Sequence, residues 1–76
     1  MSAFDAKAAT EKYNLSNDDL GVLNQLITIH LIYLADLKLK QAAEAEKDKA
    51  ELKKLTDKAP TNVLQAYEEW ILSLEP

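Results

Sequence analysis

This chain reads as an all-α protein, a small helical domain over residues 1–76, and three features of its sequence predict that. Thirty-eight residues between Gly21 and Pro60 contain neither glycine nor proline, half the chain. Two hydroxyl-plus-acid start signals precede apolar runs, and only one break, at Pro60, falls within the last two thirds.

The first element is expected over about residues 3–13. Ser2 followed by Asp5 resembles a capping box with aspartate replacing glutamate, and Ala3, Ala6, Ala8 and Ala9 are strong helix formers. Its apolar stripe is thin, so it must dock on something larger. Asn14, Leu15 and Ser16 read as a loop. Ser16-Asn17-Asp18-Asp19 then opens a long helix, with the hydroxyl placed to accept from the Asp19 amide and two carboxylates at the positive helix end. Gly21 in its first turn costs up to about 1 kcal/mol against alanine, which a close backbone neighbour would explain.

From Leu20 to Leu39 apolar residues cover most of a helical circumference. Leu20, Leu23, Ile27, Leu34 and Leu37 form one stripe that includes His30; Val22, Leu26, Ile29 and Tyr33 form another. Parts of this stretch, such as Ile27-Thr28-Ile29-His30-Leu31, alternate as a strand would. The cap before it and the alanine-rich sequence after it leave no turn at which to change period, and the helix is preferred. Residues 41–58 are nearly all good helix formers with lysines and acids three or four apart, and a narrow seam of Ala42, Ala45, Leu52, Leu55 and Ala59 suits a two-helix contact. A continuous helix over about 17–58 would be a rod of roughly 60 Å. The alternative is a hairpin reversing near 46–49, but no glycine, proline or asparagine marks it, and the rod is preferred. After Pro60, Thr61 can cap a last helix over about 62–74, with Val63, Leu64, Tyr67, Trp70, Ile71 and Leu74 on its apolar face.

A domain this small buries only about 60–65% of its unfolded surface and usually needs a staple. There is no cysteine and a single histidine, so disulfides and a zinc cluster are excluded and self-association is the remaining device. The first residues show no signal-peptide pattern, and the longest apolar stretch, 26–35, is about half of the ~20 residues that cross a bilayer. The expectation is a soluble cytoplasmic protein, of a cell or of a virus infecting it, with no membrane partner. The net charge of −4 is distributed as acidic ends around a mildly basic middle, since residues 37–58 hold seven of the nine lysines. That pattern favours pairing of chains over polyanion binding. All basic residues are lysine, and without arginine's bidentate fork nucleic-acid binding is not expected.

No catalytic, metal or cofactor signature is present. His30 lacks a convergent nucleophile and base, and reads as a satisfied interface or core histidine. Glu44, Asp48 and Glu51 share a helix face but sit beside Lys47 and read as a solvated charged surface. The acidic loop before the long helix lacks the glycine and the final glutamate of a calcium loop. Tyr67 and Trp70 share helical phase with Val63, Ile71 and Leu74, which favours core over exposed patch.

The expected function is therefore that of a non-catalytic, self-associating adaptor or inhibitor, of the antitoxin or phage anti-defence kind, that occupies a surface of a target protein. The oligomer interface, a dimer at its simplest, is expected on Leu23, Leu26, Ile27, Ile29, His30, Tyr33, Leu34 and Leu37, with residues 41–58 as an exposed or coiled arm. Asp18, Asp19, Glu68 and Glu69 are the expected partner-binding acids. The alternative is a scaffolding subunit whose role is assembly itself.

Overall fold

A computed structural model describes residues 4–74 and contains four helices: α1 (Ala6–Tyr13), α2 (Asn17–Lys38), α3 (Ala42–Lys58) and α4 (Thr61–Ser73). No strand occurs among the described residues, so the all-α class holds and the alternating stretch around Ile27 is helical.

Asp5 is the N-cap of α1. Its Oδ1 accepts from the amides of Lys7 and Ala8 at 3.0 and 3.3 Å. The helix thus starts three residues later than the expected capping box placed it, and Ser2 lies outside the described residues. Asn14 ends α1 in the left-handed conformation, and the Leu15 amide donates back to Thr10 O at 3.0 Å. This is a Schellman turn, and it drops Leu15 into the core. The start of α2 is as the sequence predicts. Ser16 Oγ accepts from the Asp19 amide at 3.1 Å while Asp19 Oδ2 accepts from the Ser16 amide at 3.0 Å.

The continuous 17–58 rod is not what forms. The chain reverses at Leu39-Lys40-Gln41, earlier than the 46–49 alternative. Lys40 adopts φ 61°, its amide donates to Leu37 O at 3.1 Å, and the Gln41 amide donates to Asp36 O at 2.8 Å. That is a second Schellman turn, with lysine at the position glycine usually takes. The left-handed lysine costs about 1–2 kcal/mol. Packing offsets that cost, because folding back lets the seam of α3 bury itself on its own chain: Ala45 is buried, and Leu52, Leu55 and Ala59 pack against the core. Residues 41–58 are therefore the second limb of an intramolecular hairpin rather than an exposed arm. Of the lysines and acids spaced three or four apart along α3, Lys53 and Asp57 close an ion pair, at 3.7 Å and exposed on the surface.

Pro60 occupies the N-cap position of α4 and Thr61 is its first residue, so Thr61 is not the cap. The work falls to Asn62. Its Oδ1 accepts from the Val63 amide at 3.0 Å, and its Nδ2 donates to Tyr13 O and Asp19 Oδ2 at 3.3 and 3.2 Å. One amide side chain thus ties the ends of α1 and α4 to the start of α2.

The strongest packings run in the order α3, α2, α4, α1. Leu15, Leu23, Leu26, Val63, Ala66, Tyr67 and Trp70 form the core where α2 and α4 meet. The result is a slab of 37 × 30 × 15 Å with a radius of gyration of 12.8 Å, against about 11 Å for a compact chain of this length. Gly21 is exposed, and a Cβ built there meets nothing within 4 Å. No close neighbour accounts for it.

Candidate interaction surface

Two lengths decide what α2 leaves uncovered. At 1.5 Å per residue the 22 residues of α2 run about 33 Å and the 13 of α4 about 20 Å. The two start together, with Asn62 bonded to Asp19, and α4 passes Tyr67 and Trp70 beside His30 before it ends. Under α4, Leu23 and Leu26 are 1% and 0% exposed. Beyond it, on the same stripe, Leu34 and Leu37 are 39% and 48% exposed, and Leu31 and Ile32 on adjoining faces are 49% and 48% exposed. Leu39, at the hairpin turn, is exposed too.

The border between the halves is aromatic. His30 Nδ1 and Tyr67 Oη share a 2.7 Å hydrogen bond. The His30 ring stands edge-on to Trp70, Tyr67 and Tyr33, with centroids 5.2, 5.7 and 6.1 Å away. Tyr67 and Trp70 stack at 6.2 Å and are buried, as their helical phase predicts. Burial lowers the basicity of His30 below the ordinary imidazole value of 6.5 and raises the Tyr67 phenol. A neutral His30, bonded and ringed by aromatics, is a structural wedge.

The residues expected at an oligomer interface therefore separate. Leu23 and Leu26 are enclosed by the chain's own core and offer no surface to a second copy. Ile27, Ile29, His30 and Tyr33 are half-buried, and Leu34 and Leu37 are exposed. Leu31, Ile32 and Leu39 are exposed as well and lie outside the expected interface set. The acids separate too. Asp18 and Glu68 are exposed. Asp19 serves the cap and Asn62, and these hydrogen bonds, the Ser16 amide first, lower its carboxyl below the usual range. Glu69 closes an ion pair with Lys12 at 3.0 Å across an open groove of about 320 Å³ lined also by Phe4, Ala8, Ala9 and Leu72.

A second acidic feature lies on the hairpin. Asp48 of α3 is half-buried, and its Oδ2 is shut off from solvent with no hydrogen-bond partner among the described residues. Asp36 of α2 stands opposite. Two ionised carboxylates only accept hydrogen bonds, so neither can satisfy the other until one takes a proton. Hydrogen bonding to Asp36, lost solvation, and repulsion from Asp36 and Glu44 together push the Asp48 carboxyl up to about 6, opposed by Lys47. No group of three or more potential ligands for a metal ion is gathered among the described residues, and Glu44, Asp48 and Glu51 do not form one. Ser16 Oγ is engaged in capping, and Ser73 Oγ donates to Trp70 O. Neither faces His30 as a nucleophile would face a base.

By length and composition α2 is the one helix among the described residues apolar enough to cross a bilayer, with a mean hydropathy of 1.5. Its apolar character extends past the ten-residue run 26–35, because Leu20, Val22 and Leu23 precede that run and Leu37 follows it. Compared with known protein families, with characterised proteins and with solved structures, the chain shows no significant match.

Proposed function

We propose that this chain is a non-catalytic protein–protein interaction module, a small acidic adaptor or inhibitor that works by covering a surface of another protein. The observation that carries this reading is the exposure of Leu31, Leu34 and Leu37, three residues apart on the last two turns of α2, with Ile32 exposed on another face of the same turns. Large apolar side chains exposed in such number at one end of a small domain mark a contact site. Asp18 and Glu68 are the acids left exposed to complement a basic target, and Asp19 and Glu69 support them from within the fold. An antitoxin or phage anti-defence protein is the kind of role such a module fills. The site needs no cofactor, metal or nucleic acid in this reading. A cytoplasmic location is part of this reading, and the packing of Leu23 and Leu26 against α4, which crossing a membrane would undo, supports keeping α2 in the folded domain.

The second reading, a scaffolding subunit whose role is its own assembly, rests on the same exposed row. A photo-crosslinking residue placed at Leu31 or Leu37 and, as a control, at Lys53 on the outer face of α3 separates functional contact from background in cells of the source organism. Discrete protein adducts at the α2 positions and none at Lys53 are expected. Equal labelling at all three would sink both readings. Adducts to other proteins that weaken at high salt favour the adaptor, and adducts only to this chain favour the scaffold.

A further inference from the structure

We infer that Asp36 and Asp48 form a proton latch on the α2–α3 hairpin: one proton held between the two carboxyls keeps the first turns of α3 on α2, and its loss lets them part. The inference is independent of what covers the far end of α2.

The latch sits where the hairpin is held least. α3 carries its larger apolar side chains, Leu52 and Leu55, in its second half, and there they pack against the core. Nearer the turn, Ala45 is its one buried residue. Gln41 gives the helix no side-chain cap, and Lys40 holds the turn in the strained left-handed conformation. A segment with so few buried apolar contacts is the part of a fold that opens locally, and a single polar contact can decide whether it stays docked.

A carboxyl pair stands at that place. Asp36 belongs to the last turn of α2 and Asp48 to the second turn of α3, and both are half-buried. Asp48 Oδ2 is closed to solvent and meets no hydrogen-bond partner among the described residues. Asp36 faces Asp48 from α2 within hydrogen-bonding reach, Glu44 of α3 adds repulsion, and Lys47 of α3 opposes them. With both carboxyls ionised, acceptor is set against acceptor. One proton turns the same contact into an O–H···O⁻ hydrogen bond, among the shortest and strongest that side chains make. The closed hairpin holds this proton up to about pH 6, whereas an opened one releases it near the ordinary value of 3.8. The latch is therefore fully engaged below about pH 4 and is lost as pH rises through about 6.

Two measurements on the full chain test this. Followed by NMR, the side-chain carboxyl carbons of Asp36 and Asp48 are expected to titrate as a linked pair with one step near pH 6. Two independent titrations in the ordinary carboxylate range overturn the latch. Hydrogen exchange, corrected for its intrinsic pH dependence, reads the opening. At pH 7.5 the amides of residues 45–49 are expected to exchange faster than those of residues 23–26, through an opening that urea barely promotes. Between pH 5 and pH 7.5 their protection is expected to fall about tenfold. Protection equal to that of residues 23–26 at pH 7.5, or unchanged between the two pH values, overturns the inference. Asp48→Asn supplies an amide donor that needs no proton, and should keep residues 45–49 protected at both pH values. Asp36→Asn does the same from the other helix and serves should the first variant fold poorly. A tenfold fall that survives the exchange, or protection lost at both pH values alike, overturns the latch. Glu44→Gln removes only the flanking repulsion and should leave the fall in place; its disappearance there would overturn the assignment to Asp36 and Asp48.

Discussion

The second half of α2 is the more apolar, with seven apolar residues over 28–38 against five over 17–27, yet it is the first half that is covered. In the first, Leu23 and Leu26 lie sealed beneath α4. In the second, Leu34 and Leu37 continue the same stripe and face outward because α4 is too short to reach them. Sequence pattern specifies which face of a helix wants cover, whereas the lengths of its neighbours decide how much of that face receives it.

The largest expected effect tests that contrast directly. Leu26→Ala removes a fully enclosed side chain and should cost about 2–5 kcal/mol in chemical denaturation. Leu37→Ala should cost under about 1 kcal/mol at concentrations where the chain is dilute, because the side chain is already half in water. Equal losses would erase the difference between the halves. At their border, Tyr67→Phe leaves His30 Nδ1 without its partner and should cost about 1 kcal/mol.

Two backbone exchanges probe the ends of the helix. Gly21→Ala should add about 0.5–1 kcal/mol, since the helix gains and nothing is met by the new methyl. Lys40→Gly should add up to about 1 kcal/mol by relieving the left-handed lysine. A loss in the second case would mean the lysine side chain contributes something the turn needs.

The smallest effect is read against pH. Asp48 binds its proton more tightly folded than unfolded, so its contribution is present below about pH 4 and disappears as pH rises through about 6. His30 has the opposite sign. Its basicity is depressed in the fold, so stability present above its ordinary value of 6.5 is lost as pH falls through its lower folded value. Asp48→Asn should therefore stabilise the chain at pH 7, and its advantage over the unaltered protein should shrink on acidification to pH 5. Thermal melts at the two pH values check both the sign and the trend.

Much of the fold was legible residue by residue. Ser16 and Asp19 announce the start of α2, Pro60 announces the break, and the phase of Tyr67 and Trp70 announces their burial. What could not be read was the reversal at Lys40. The usual turn residues are absent there, and the backbone is held in place by α3 burying Ala45, Leu52 and Leu55 against distant partners. Asn62 was equally silent, because an asparagine beside a proline looks like loop chemistry until Tyr13 and Asp19 are brought to it. The exposed surface was half legible. Leu34 and Leu37 follow from periodicity, but the burial of Leu23 and Leu26 by α4, and the exposure of Leu31, Ile32 and Leu39, depend on which neighbours reach α2 and how far.

The hairpin also sets an order of events as the chain folds. A three-residue connection brings α2 and α3 together at small entropic cost, whereas Asn62 must find Asp19 across more than forty residues. Until α4 arrives, the greasy stripe lies bare from end to end, and a neighbouring molecule's α4 fits it as well as its own. Crowded refolding should therefore trap exchanged, intertwined species that slow dilution avoids.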